Sequence, residues 1–266
     1  MKLKSKISQS LRKLRLLHFS DLIRYNYIKL INRKKNKFFT HNYPNVKIPF
    51  DYLVYESFQL DYEKYYIGGE KTAIWMANII KKYKNSENLK ILDWGCGPGR
   101  VIRHLPDIFD KKNMFFGTDY NENSIKWCSK NIDGVNFSTN ELSPPLSYND
   151  NFFDVIYGIS IFTHLSEKNH YEWIKELHRV LNEDGVLILT TQGDNFKIKL
   201  NSDEIKEFEK GNLVFRGNVK EGHRVYSAFH PEKFMKKIFK DFTILEHIAE
   251  PPQENYIPQD IWIIKK

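Results

Sequence analysis

A chain of 266 residues that is 41% hydrophobic and 15% aromatic has the means to bury a real core, which excludes a disordered protein. Its net charge of +8 is an uneven average: residues 1–40 hold 12 Lys and Arg against one acid, Asp21, and the rest holds 29 bases against 32 acids. A slightly acidic body therefore carries a strongly basic N-terminal arm.

No run approaches the ~20 apolar residues of a membrane span. The N-terminus is charged but lacks the apolar segment of a signal peptide. Cys96 and Cys128 are the two cysteines, with no metal-like spacing, so no metal is expected. The expected setting is reducing and cytoplasmic.

In chain order, a short basic helix is expected around residues 11–17. A longer one follows over 20–35, with Ser20 or Asp21 as its cap. Phe19, Leu22, Ile23, Tyr27, Leu30 and Ile31 fall on one stripe of it, and Arg24, Arg33, Lys34 and Lys35 lie mostly off that stripe. Pro44 and Pro49 mark a connector, and a soft boundary falls near residue 60, separating a basic helical extension (1–60) from the main domain (61–266). A helix is expected after Gly68-Gly69, then a strand over 89–94, a glycine turn, and a helix to about residue 108. "MFFGTDY" reads as a second strand ending at Asp119, "VNFST" as a third, "FFDVIYGIS" as a buried fourth and "GVLILTT" as a fifth. Helices alternate with these strands. The helix before the fifth has the stripe Trp173, Ile174, Leu177, Val180 and Leu181, with Gly185 after its end. Alternation of this kind predicts a doubly wound, mostly parallel α/β sheet. The tail differs: a helix opened by Pro231 precedes two strands, "FTILEHIAE" and "DIWIIKK", joined by a link too short for a crossover helix. That pair should be antiparallel.

The chemistry concentrates in "ILDWGCGPGR", residues 91–100. In an open α/β sheet, ligands bind beyond the carboxyl ends of the strands, and glycines let the backbone approach them. A dinucleotide turn would read G-x-G-x-x-G; here Gly95, Gly97 and Gly99 alternate and Arg100 takes the sixth place. Asp93, two residues ahead of the glycines, would repel a pyrophosphate and suits an ammonium or sulfonium group. Asp119 closes the second strand 20 residues after Gly99, where a carboxylate accepts from ribose hydroxyls. Together they ask for a cationic nucleoside.

"ILDWGCGPGR", "FFGTDYN", "FFDVIYGISIFTHLSE", "WIKELHRVLNEDGVLILTT" and "QDIWIIKK" resemble the class I S-adenosylmethionine-dependent methyltransferases over roughly residues 60–266. "SIFTHL", "SAFHP" and the final strand resemble a bacterial subgroup often associated with surface-polysaccharide and glycan modification. The resemblance implies a seven-strand sheet with its last strand antiparallel and S-adenosylmethionine as cofactor. It implies that Asp93 anchors the amino-acid end of the cofactor or orders the turn. Gly95, Cys96, Gly97 and Gly99 would lend backbone to it, Asp119 and Tyr120 would stand at the ribose, Asn140 at the adenine, and Ile159 and Ser160 between cofactor and acceptor. Asn182–Gly185 replaces the family's usual proline-glycine-glycine turn.

A hydroxyl acceptor needs its proton removed, and His164 is the first candidate to do so, with His230 the second, as base or as acceptor-positioning group. Tyr226, Gln259 and Asp260 are the candidate acceptor contacts. The expected activity is O-methylation of a sugar, glycan or related small metabolite. Two alternatives stand beside it: an RNA-modifying methyltransferase recruited by the basic arm, and a silent nucleoside-binding module. "GISIF" in place of an N/D-P-P-Y/F signature weakens the first, and the intact turn with its two acids weakens the second. Three readings compete for the arm: an accessory helix, a membrane-surface helix at the inner face of an anionic membrane through residues 1–40, and nucleic-acid binding, for which the acidic body offers no second basic surface. Oligomeric state is left open.

Overall fold

The computed structural model describes residues 17–217 and 219–266, so the helix expected at 11–17 lies outside it but for its last residue. By their contacts the residues form two compact units, Leu16–Thr139 and one that includes Asn140–Lys266.

The first unit opens with helices α1 (Leu17–Asn42), α2 (Asp51–Phe58) and α3 (Tyr62–Tyr83). Strands β1 (Lys90–Trp94), β2 (Met114–Asp119) and β3 (Val135–Thr139) follow, with the short α4 (Leu105–Ile108) after β1 and α5 (Glu122–Asn131) after β2. β2 pairs in parallel with both β1 and β3. α1 runs well past its expected end because no Pro or Gly interrupts residues 17–42. It docks through a few apolar side chains, Tyr25, Ile28 and the buried Phe39, and through polar groups. Gln59 and Leu60 both adopt left-handed φ angles of 54° between α2 and α3. The carbonyls of that turn accept from Asn32 Nδ2 (3.0 and 3.2 Å) and Asn36 Nδ2 (2.9 Å). Lys35 bridges Asp61 and Glu63, and Tyr55 donates to Asp21 at 2.8 Å. The apolar stripe of α1 faces the other way, each of its six members more than half exposed.

α3 begins at Tyr62, capped by Asp61, so Gly68 and Gly69 lie inside the helix, where the sequence suggested its start. Gly69 has a packing reason: a Cβ there would stand 2.4 Å from the carbonyl oxygen of Arg100.

The second unit holds β4 (Phe153–Gly158), α6 (Glu167–Val180), β5 (Leu181–Thr191), α7 (Ser202–Lys210), the small strands β6 (Val214–Arg216) and β7 (Ser227–Phe229), α8 (Glu232–Ile238), β8 (Thr243–Ile248) and β9 (Asp260–Lys265). α6 stops at Val180, earlier than its apolar stripe suggests, because Leu181 turns to extended backbone and pairs with Phe153. β4 and β5 are parallel; β9 is antiparallel to both β5 and β8, as the short final link requires. The seven main strands run β3-β2-β1-β4-β5-β9-β8, a mostly parallel α/β sheet with the last strand antiparallel.

Candidate functional site

The glycine turn follows directly from β1. Gly95, Gly97 and Gly99 have φ angles of 76°, 52° and 73°, a region that side chains resist. The Gly95 and Cys96 amides both donate to the Thr118 carbonyl (2.8 and 2.9 Å), tying the turn to the end of β2. The requirements at the last two glycines differ in kind. A Cβ on Gly99 would strike Ile132 at 2.5 Å, so that glycine serves the packing of α5. A Cβ on Gly97 would meet nothing within 4 Å. Gly97 therefore presents bare backbone to open space, as a ligand cradle requires.

Asp119 is buried beside that cradle. One carboxylate oxygen accepts from the Gly97 amide at 2.8 Å, the other from the Asn121 amide at 2.7 Å. Burial raises its pKa, and the two backbone donors oppose that rise. Each oxygen keeps a further lone pair, which matches the two vicinal hydroxyls of a ribose. Asp93 is buried at the end of β1, and Tyr120 is partly exposed next to Asp119. Cys96 is buried with its thiol pKa pushed well up by that burial, consistent with a small packing residue and not with a nucleophile. These seven residues, Asp93 through Tyr120, converge on one turn.

Sequence reasoning missed what supports it. Arg100 does not face the cradle: its guanidinium stacks on Phe58 (4.6 Å) and donates to Thr72 Oγ1 at 2.8 Å. Tyr65, fully buried, donates to the Pro98 carbonyl at 2.7 Å. α2 also brings Glu56 toward Asp119. Burial first, and then the Asp119 charge, raise the Glu56 pKa from an ordinary 4.5 to about 7. No local signal marks Glu56 in the sequence, because the field that shifts it comes from residues far along the chain.

The sign of its pH dependence follows. The folded chain keeps a proton that the unfolded chain releases near pH 4.5, so stability is lost as pH rises from there through about 7. Chemical denaturation at pH 5 and pH 8 should show wild type losing on the order of 2 kcal/mol more than Glu56→Gln between the two. Parallel losses in the two proteins would refute this account of Glu56.

In the second unit, Ile159 and Ser160 follow β4 and are half-buried. Ser160 holds a left-handed φ of 65° and sits in a closed polar network. Its amide donates to Thr190 Oγ1 (2.8 Å), Thr190 donates to Gln259 Oε1 (2.6 Å), Gln259 Nε2 donates to Ser160 Oγ (2.8 Å), and Ser160 Oγ meets Thr163 Oγ1 at 2.9 Å. Asn140 donates to the Glu141 carbonyl, and its Oδ1 is buried with no hydrogen-bond partner among the described residues. An acceptor so placed calls for an external donor.

His164 Nδ1 lies 2.9 Å from the Tyr226 carbonyl. A carbonyl only accepts, so Nδ1 carries the proton and Nε2 is left as the basic nitrogen. Burial lowers the His164 pKa, which keeps the ring neutral near pH 7. Tyr226 is itself buried, its ring parallel to that of Phe215.

His230 pairs with His170, Nε2 to Nε2 at 2.9 Å. His170 Nδ1 donates to the Ser166 carbonyl at 2.7 Å, so the shared proton sits on His230 Nε2 and His230 Nδ1 is a lone-pair nitrogen, buried and without a partner. Burial drives both pKa values down, that of His170 to about 4.

Asp260 opens β9 beside Thr191. Its Oδ2 meets His247 Nε2 at 2.8 Å, its Oδ1 is buried with no partner among the described residues, and it occupies the space a Cβ on Gly193 would need. His247 stacks on Trp262 with centroids 3.7 Å apart. The antiparallel register that sets His247 opposite Trp262, two residues from Asp260, was the available signal for this pair.

A mostly parallel seven-strand sheet with its last strand antiparallel, a bare-backbone turn after β1 and a buried acid closing β2 make up an α/β methyltransferase fold. Residues 91–185 match the family described as "Methyltransferase domain". Malonyl-[acyl-carrier protein] O-methyltransferase of Bacillus cereus is 26% identical over 171 residues, which are 63% of this chain and 61% of that relative. The chain thus spans about three fifths of that protein's length. Among solved structures, a SAM-dependent methyltransferase of Methanosarcina mazei aligns with a TM-score of 0.56 at 24% identity, over 71% of this chain and 96% of that one. Magnesium protoporphyrin IX methyltransferase of Synechocystis, solved with bound SAH, aligns with a TM-score of 0.52 at 18% identity, over 75% and 84%. At these identities the structural likenesses establish the fold. No helix among the described residues is long and apolar enough to cross a membrane.

Proposed function

We propose that the protein is an S-adenosylmethionine-dependent O-methyltransferase acting on a sugar, glycan or related small hydroxylated metabolite. The observation that carries the cofactor is the open side of Gly97 next to the doubly held Asp119 carboxylate. Asp119 would hold the ribose, and the Gly95–Gly97 backbone and Asp93 the amino-acid end. The bound cofactor would supply a methyl group on sulfonium sulfur, already activated for displacement.

What remains for the chain's own residues is to orient the acceptor, exclude water and take a proton. The hydrogen-bonded set Ser160, Thr163, Thr190 and Gln259 supports a polar acceptor, since an apolar one would gain nothing from it. His164, neutral and with its tautomer set by the Tyr226 carbonyl, has the form of a base for a hydroxyl proton. His230, fully buried and paired with His170, fits a positioning role better than that of a base. The O-directed relative from Bacillus cereus supports an oxygen acceptor.

Transfer of labelled methyl to a panel of sugar nucleotides and glycans, carboxylate acceptors and RNA tests the reading. Labelling of the sugars is expected, and His164→Gln should lower kcat by about 100-fold with little change in KM. Labelling confined to carboxylates or RNA would overturn the acceptor assignment.

A further inference from the structure

The outward face of α1 carries none of the candidate site residues. Phe19, Ile23, Tyr27 and Leu30 follow the four-four-three spacing of one helical line, flanked by Leu22 and Ile31, and all six are 54–71% exposed. Lys34, Lys37 and His41 continue the same line, with Arg33 beside them, all exposed. The helix cannot rotate to bury this face, because Asp21, Asn32, Lys35 and Asn36 on the opposite side are engaged with Tyr55 and with residues 59–63. The fold thus holds three apolar turns outward and follows them with a cationic turn.

Charge narrows what covers the face. α1 contains six Lys and Arg, and its one acid, Asp21, is on the buried side. Residues 1–16 add six more bases and no acid, so that segment would meet the face with charge of the same sign. A second copy meeting it through its own α1 would do likewise. An apolar stripe bordered by cations matches a surface whose interior is hydrocarbon and whose outer layer is negative.

We propose that α1 docks this face onto an anionic lipid surface, with Phe19–Leu30 entering the acyl boundary and Arg33, Lys34 and Lys37 at the phosphates. The docking is independent of which acceptor is methylated. Co-sedimentation of the full chain with vesicles tests it. Wild type should pellet with phosphatidylcholine–phosphatidylglycerol vesicles, pellet poorly with phosphatidylcholine alone, and release as salt is raised. The double variant Ile23→Gln with Leu30→Gln, and the triple variant Arg33→Glu, Lys34→Glu and Lys37→Glu, should each bind at least about tenfold more weakly, with circular dichroism unchanged. Absence of lipid-selective, salt-sensitive pelleting by wild type would overturn the proposal without recourse to any variant. So would variants that pellet like wild type, or light scattering that shows a dimer which Ile23→Gln with Leu30→Gln converts to monomer.

Discussion

Asp119→Ala should weaken S-adenosylmethionine binding by at least about 100-fold in isothermal titration, because two hydrogen bonds from hydroxyls to a charged acceptor contribute about 1.5–3 kcal/mol each. The carboxylate also serves the turn. Without it the Gly97 and Asn121 amides lose the acceptors they now hold at 2.8 and 2.7 Å, and the cradle loosens. Asp119→Asn retains one oxygen acceptor and should fall between the two. Wild-type binding that survives Asp119→Ala unchanged would remove the Gly97 cradle as the seat of the nucleoside.

The second large effect is on stability and has opposite signs at neighbouring positions. Gly69→Val should cost about 3 kcal/mol or more in denaturant unfolding, since its Cβ would stand 2.4 Å from the Arg100 carbonyl, a backbone atom that cannot yield without moving the glycine turn. Gly68→Ala should be neutral or stabilising by up to about 1 kcal/mol: its Cβ would meet nothing within 4 Å, and alanine favours the helix. Equal effects at the two positions would show that α3 does not brace the turn through Gly69.

Local patterns carried much of the fold. The strand ends at Trp94 and Asp119, the alternating glycines and the short final link are properties of a few adjacent residues each, and the backbone obeys them. Helix limits were less legible. Gly68-Gly69 looks like a helix start until Asp61 is seen capping Tyr62, and Leu181 looks like part of the α6 stripe until β4 offers it a strand partner. Glu56 was invisible as a site-adjacent group because Asp119 lies 63 residues away in the chain, and the His247–Asp260 pair could be reached only through the register of β8 on β9.

By itself the sequence determined the fold class of the domain and pointed to a nucleoside ligand, through an acid at one strand end and another acid ahead of the glycine turn. Such chemistry is written in short spacings, because one turn between one strand and one helix carries it. Tertiary structure alone decided which glycine faces open space and which faces a neighbouring side chain, that Arg100 braces Phe58 and Thr72, and which ring nitrogen carries the proton in His164, His170 and His230. It also decided that α1 turns inward a mixed face, Tyr25, Ile28 and Phe39 together with Asp21, Asn32, Lys35 and Asn36, and leaves its longer apolar stripe outside. An amphipathic stripe specifies that a helix has two faces, but which one is buried depends on what the neighbours offer, and here the carbonyls of Gln59 and Leu60 offer hydrogen bonds to Asn32 and Asn36.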